Sequence, residues 1–350
     1  KNSLDNLSVP DEYVIPIISK SSALSRLLVF NQSDFEDIWF VGDYSDKNGN
    51  IIWNESYEML HPVIRMSEGH ALIFDRQGTL VKPFTPAGIG TTIYTTLPIS
   101  EADIAENGSV AVLMQEGDTG YIQKYTAGGQ ISANGELHLS GGGYPVDIAI
   151  SSDGSRLAAS VMDLINGEVR AKLIYYDFGA AGENKDRHIV ATITYADTVM
   201  PEIDFISGDR LLCICDSAVR IFDNGETPEL IKEIYYSSQI WSIIHNDSYI
   251  AFIGPMQNEE GFIEDTLCVY SAAGHKLCEK VMERDYQYFY ITDNNGIVIS
   301  DGQQVDIYSP LGVLKFTYSF TDTVYGMLHV EGLREYVLLR AGSIERIRVR

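Results

Sequence analysis

The side chains best suited to hold a ligand fall in two neighbouring stretches of the sequence, PMQNEEGFIED and ERDYQYFY. The first carries Glu259, Glu260, Glu264 and Asp265, and the second carries Tyr286 and Tyr288. Carboxylates accept hydrogen bonds and aromatic faces attract cations or stack on sugar rings, so a surface uniting the six would suit a cationic or sugar-like ligand. No catalytic residue is assigned. Neither a G-x-S-x-G nucleophile elbow nor an H-E-x-x-H zinc motif occurs. A glycosidase needs a positioned carboxylate pair, which cannot be picked out among 49 acids.

No metal site and no cofactor is expected. The seven histidines, His61, His70, His138, His188, His245, His275 and His329, show no short ligand spacing. Cys213 and Cys215 in LLCIC have no second pair at zinc spacing and read as core residues. YSDKNGNIIWNE places Asp46, Asn48, Gly49 and Glu55 at loop positions 3, 5, 6 and 12 of an EF-hand-like pattern, but Tyr44 replaces the leading carboxylate. Gly49 is better explained as a turn residue. Cys268 and Cys278 flank Ala273 symmetrically, so a hairpin turning there would set them opposite each other, as a disulfide or as two packed thiols.

Short strands must position these groups. In PVDIAISSDGSRLAASVMDLINGEVRAKLIYYDF, VDIAIS has the two-residue rhythm of a strand, SSDG a tight turn, LAASVM the small apolar character of a strand covered on both faces, and KLIYYDF the aromatic and branched residues of a third. That pattern recurs from end to end. Turns between the third and fourth strand of each unit are marked at Gly49, Gly88, Gly128, Gly179, Gly225, Gly274 and Gly312, spaced roughly 40 to 50 residues apart, the length of a four-stranded propeller blade. After Gly312 four strands remain: VLKFTYSF, which completes the seventh unit, and then YGMLHV, EYVLLR and SIERIRV, one short of a further blade. The N-terminal DEYVIPIIS would supply the missing strand and fasten the chain ends together. The expected fold is therefore all-β, an eight-bladed β-propeller with seven blades as the alternative, its last blade closed by an N-terminal strand. Nothing between units reads as a linker, so residues 1–350 are expected to form a single domain.

The formal charge of −24, from 49 acidic against 25 basic side chains, opposes nucleic-acid binding, which draws its affinity from Lys and Arg. It suits an exported protein kept dispersed in solution. No run of about 18 apolar residues is present to span a bilayer. The chain opens on Lys1 without a signal peptide, as expected of the soluble part of a larger protein.

The succession YPVDIAISSDGSRLAASVM, YYDFGAAGENKDRHIV and MPEIDFISGDRLL resembles a family of uncharacterised β-propellers from Gram-positive bacteria, in which one N-terminal membrane helix tethers an extracytoplasmic propeller. The resemblance spans about residues 60 to 350 and implies a location: extracytoplasmic and membrane-anchored, through a segment preceding Lys1. It brings no functional residues. The function expected is a non-catalytic binding or scaffolding module, a monomer whose partner is a protein or a cell-envelope glycan. The alternative is a propeller enzyme acting on that glycan.

Overall fold

The computed structural model describes residues 14–17, 27–33, 39–45, 51–85, 87–117, 119–138, 143–165, 167–236, 242–257, 261–331, 334–340 and 343–349, with side chains from Tyr57 onward. Among them the strands form eight antiparallel sheets, each built from strands consecutive in the sequence. The only helical element described is one 3-10 turn at Asp186–His188. The chain divides into two compact units, residues 59–238 and residues 1–58 with 239–350.

The fourth sheet shows how sequence becomes structure. Its first three strands are Tyr144–Ile150, Arg156–Ile165 and Glu168–Asp177, and Ile189–Ala196 completes it. At the first turn Asp153 Oδ1 accepts the Ser155 N–H at 2.7 Å, and Gly154 takes φ +71°, a conformation open to a residue without Cβ. Successive side chains of a strand point to opposite faces, and here both faces are covered. Leu157, Ala159, Val161 and Tyr176 pack with Leu113 and Ile122 of the third sheet. Ala158, Leu173 and Tyr175 pack with Phe205, Leu211 and Phe222 of the fifth. Small side chains in the middle strand let two neighbours approach, while Tyr175 and Tyr176, both fully buried, supply the bulk. Burying each large apolar side chain this way contributes at most about 3 kcal/mol.

Of the marked glycines that are described, Gly128, Gly179, Gly225, Gly274 and Gly312 lie between third and fourth strands, whereas Gly88 is the first residue of the outer strand itself. Gly274 and Gly312 take φ +78° and +74°, at the turns joining Ile263–Ser271 to Lys276–Val281 and Gln304–Tyr308 to Leu314–Ser319. In the second sheet the outer strand is split into Gly88–Ile89 and Ile93–Tyr94, both paired with Leu80–Thr85. Pro83 in that strand has no N–H to donate, and the pairing breaks beside it, leaving only its carbonyl to accept from Gly90.

Two expectations are corrected. Val14–Ile17 does not complete the last sheet; it pairs with Leu27–Ser33, Val14 opposite Asn31 and Ile17 opposite Leu28, as the first strand of the first sheet. Joining the next strand closes only a short loop, and sequential strands are the usual partners. The eighth sheet has three strands among the described residues, Val324–Glu331, Glu335–Arg340 and Ser343–Arg348. Cys268 and Cys278 are free thiols and do not face each other. An irregularity between Val269 and Tyr270 shifts the register so that Cys278 lies opposite Val269, and Cys268 opposite Glu279. The EF-hand-like loop at Asp46–Gly49 lies outside the described residues.

Candidate functional site: a charged groove and a set of buried acids

Two groups of charged side chains stand out, one in each unit. In residues 59–238 the acids sit on the first strands of successive sheets. Asp103, on Ile99–Ile104, accepts the Ile150 N–H of the next sheet on Oδ2 at 2.9 Å. Asp147, on Tyr144–Ile150, repeats the arrangement one sheet later, its Oδ2 accepting the Ile203 N–H at 2.9 Å. The other oxygen of Asp147 takes Arg65 Nη2 at 3.2 Å, and the same nitrogen reaches Glu101 Oε2 at 3.1 Å. Arg76 pairs with the second oxygen of Glu101. Burial pushes the Asp147 carboxyl up to about 7, against the opposing pull of Arg65 and the Ile203 amide. Burial also pushes Asp103 up to about 6, reinforced by the nearby Asp204 carboxylate.

In the other unit a cavity of about 420 Å³ opens between the sixth and seventh sheets. One wall is the connection leaving Lys276–Val281, with Glu283, Arg284 and Asp285. The opposite wall is the seventh sheet, with Asp301, Gln304, Asp306 and Tyr308. Arg284 crosses to the buried Asp306, and Lys280 Nζ stands 5.7 Å from the centre of the Tyr308 ring. Gln304 Nε2 donates to Asp306 Oδ1 at 3.3 Å and to Thr317 Oγ1 at 3.0 Å. Asp301 Oδ1 accepts the Gln303 and Gln304 amides at 2.9 and 2.7 Å, which hold its carboxyl below the usual range.

Of the residues singled out from sequence, the four that are described, Glu264, Asp265, Tyr286 and Tyr288, do not line this cavity. Glu264 and Asp265 begin the strand Ile263–Ser271, where the Asp265 carbonyl accepts the Met282 N–H at 2.7 Å. Tyr286 packs into the apolar layer between the sixth and seventh sheets, edge-on to Phe289 at 5.8 Å, and burial raises its phenol pKa. Tyr288 meets Tyr325 edge-on at 6.4 Å. Glu259 and Glu260 lie outside the described residues. Sequence reasoning reached the connection that forms one wall but chose its tyrosines over Glu283–Asp285. It missed the buried acids, whose signal was a carboxylate inside an otherwise apolar strand, as in ISEADI and VDIAIS.

Successive four-stranded antiparallel sheets stacked face to face define a β-propeller repeat fold, and solved structures agree. The chain superposes on Sqt1 from Chaetomium thermophilum with a TM-score of 0.60 at 12% identity, covering 98% of each chain. It superposes on apo AztD from Citrobacter koseri with a TM-score of 0.56 at 10% identity, covering 88% of this chain and 87% of that one. The protein belongs to the family described as "Family of unknown function (DUF5711)", whose pattern matches residues 43–349. Among curated proteins, none matches the chain in sequence.

Proposed function

We propose that the protein is a non-catalytic binding module: an eight-bladed propeller, a single extracytoplasmic domain tethered to the membrane by a segment before Lys1, that docks a protein partner. The observation that carries this reading is the groove between the sixth and seventh sheets. It is open, polar and walled by charges of both signs, so it offers hydrogen bonds and ion pairs to another macromolecule. The glycan-processing alternative would draw on acids tuned toward neutrality, and Asp147 and Asp103 are so tuned. Both oxygens of Asp147 are engaged, by Arg65 and the Ile203 amide, and Oδ2 of Asp103 by the Ile150 amide, which supports a structural use.

The test is capture from envelope extracts with the intact chain, scoring protein and glycan separately. A protein retained at physiological salt and lost on competition with free chain is the expected result. Retention of glycan alone, or release of new reducing ends from it, would overturn the reading.

A further inference from the structure

The cavity walls carry four carboxylates, Glu283, Asp285, Asp301 and Asp306, against two cations, Lys280 and Arg284. Both cations are already used. Arg284 is spent on the buried Asp306, and Lys280 lies over Tyr308. The remaining acids are not. Glu283 and Asp285 are exposed and make no ion pair among the described residues. Asp301 uses Oδ1 for the Gln303 and Gln304 amides, and no side-chain hydrogen bond to its Oδ2 is found among the described residues. Gln304 spends its amide hydrogens on Asp306 and Thr317, so its carbonyl oxygen is also left to accept. Uncommitted acceptors thus stand on both walls, Glu283 and Asp285 on one and Asp301 and Gln304 on the other. Lys280 beside Tyr308 shows that the site tolerates an alkylammonium against an aromatic face.

The geometry points to the groove as the receptor for a lysine or arginine side chain carried on a basic segment of a partner protein. This deepens the binding-module reading above and rests on it. Cavities of several hundred Å³ accept a group of that size. The strand Leu314–Ser319 borders the groove through Leu314 and Thr317, and it is the last strand of its sheet. Its outer edge, unpaired among the described residues, can pair an extended segment while one basic side chain enters between the acids. The net charge of −24 adds long-range attraction for such a partner.

The probe is an end-labelled tetralysine amide, titrated into the intact chain at physiological salt with tetraglutamate and spermidine in parallel. The variant Glu283→Gln/Asp285→Asn is compared with Glu226→Gln/Glu229→Gln, which neutralises two exposed acids in the other unit. Tetralysine should bind, weaken about tenfold in the first variant and change less than about twofold in the second. Lys280→Gln should tighten binding several-fold by removing the internal cation, whereas Lys232→Gln should not. Equal losses in the two acid pairs would show diffuse attraction and overturn the assignment. So would spermidine binding as tightly as tetralysine, or tetralysine failing to bind. A partner captured from extracts whose binding ignores Glu283→Gln/Asp285→Asn would sink the groove assignment and leave the binding-module reading standing.

Discussion

Asp147 and Glu283 are both carboxylates beside an arginine, yet their surroundings give them opposite roles. Asp147 is 4% exposed, and its two oxygens take Arg65 and the Ile203 amide, so it ties the first strand of the fourth sheet to those of the second and fifth. Glu283 sits in an exposed connection, and the adjacent Arg284 is drawn across the cavity to Asp306. An acid consumed by backbone and arginine inside a stack of sheets holds the fold. An acid left facing water at a cavity has its hydrogen-bonding capacity free for a ligand.

The largest effect should come from breaking the buried tie. Asp147→Ala strands the Ile203 N–H and removes a partner of Arg65, and should cost about 3–5 kcal/mol in urea unfolding. A loss below about 1 kcal/mol would mean that the tie is incidental. The same acids give stability a pH dependence of definite sign. Their folded pKa values, about 7 for Asp147 and about 6 for Asp103, lie above the unfolded value, so their contribution is full below the ordinary carboxylate range and is lost as pH rises through them. Each group contributes up to about 1.4 kcal/mol per pH unit across that window, and Asp147→Asn should flatten the slope. A profile rising over the same window in the wild type but not in Asp147→Asn would refute the assignment.

Gly312 offers a steric test next to the groove. It takes φ +74°, and a Cβ there would lie 2.3 Å from Cys278 Sγ. Gly312→Ala should cost about 1–3 kcal/mol, and adding Cys278→Ala should recover the steric share but not the backbone strain. Ser160→Ala removes a buried hydroxyl that donates to the Met200 carbonyl at 2.6 Å, and thermal unfolding should register about 1–2 kcal/mol. Smallest of all, Glu283→Gln/Asp285→Asn should leave stability within about 0.5 kcal/mol while weakening tetralysine. A large loss of stability there would erase the distinction between the two kinds of acid.

Much of the architecture could be read before any coordinates, because it rests on local chemistry. Alternation in VDIAIS, the Asp–Gly turn at Asp153–Gly154 and the small residues of LAASVM each act within a few positions, and each is found where the pattern put it. What was not legible depends on register and on partners distant in sequence. One irregularity beside Tyr270 turned Cys278 away from Cys268, and Val14–Ile17 had two edges it could join. Periodicity cannot choose between such edges. The site was half visible for the same reason. The acids of the ERD run are plain in the sequence, but the opposite wall is supplied by Asp301, Gln304 and Asp306, whose approach depends on the stacking of two sheets. Aromatic residues misled: Tyr286, in the connection ahead of Tyr288–Ile291, is an apolar wedge between those sheets, a use that a tyrosine's ring fits as well as ligand stacking.

The division between binding acids and binding-free, fold-holding acids is tested most directly by amide hydrogen exchange at Ile203. If Asp147 bridges sheets through that N–H, Ile203 should be protected in the wild type like the core amide of Leu173. In Asp147→Ala its protection should fall further than that of Leu173, beyond the shared loss of global stability. Ile203 and Leu173 losing protection equally in Asp147→Ala, or Ile203 exchanging freely in the wild type, would contradict the account.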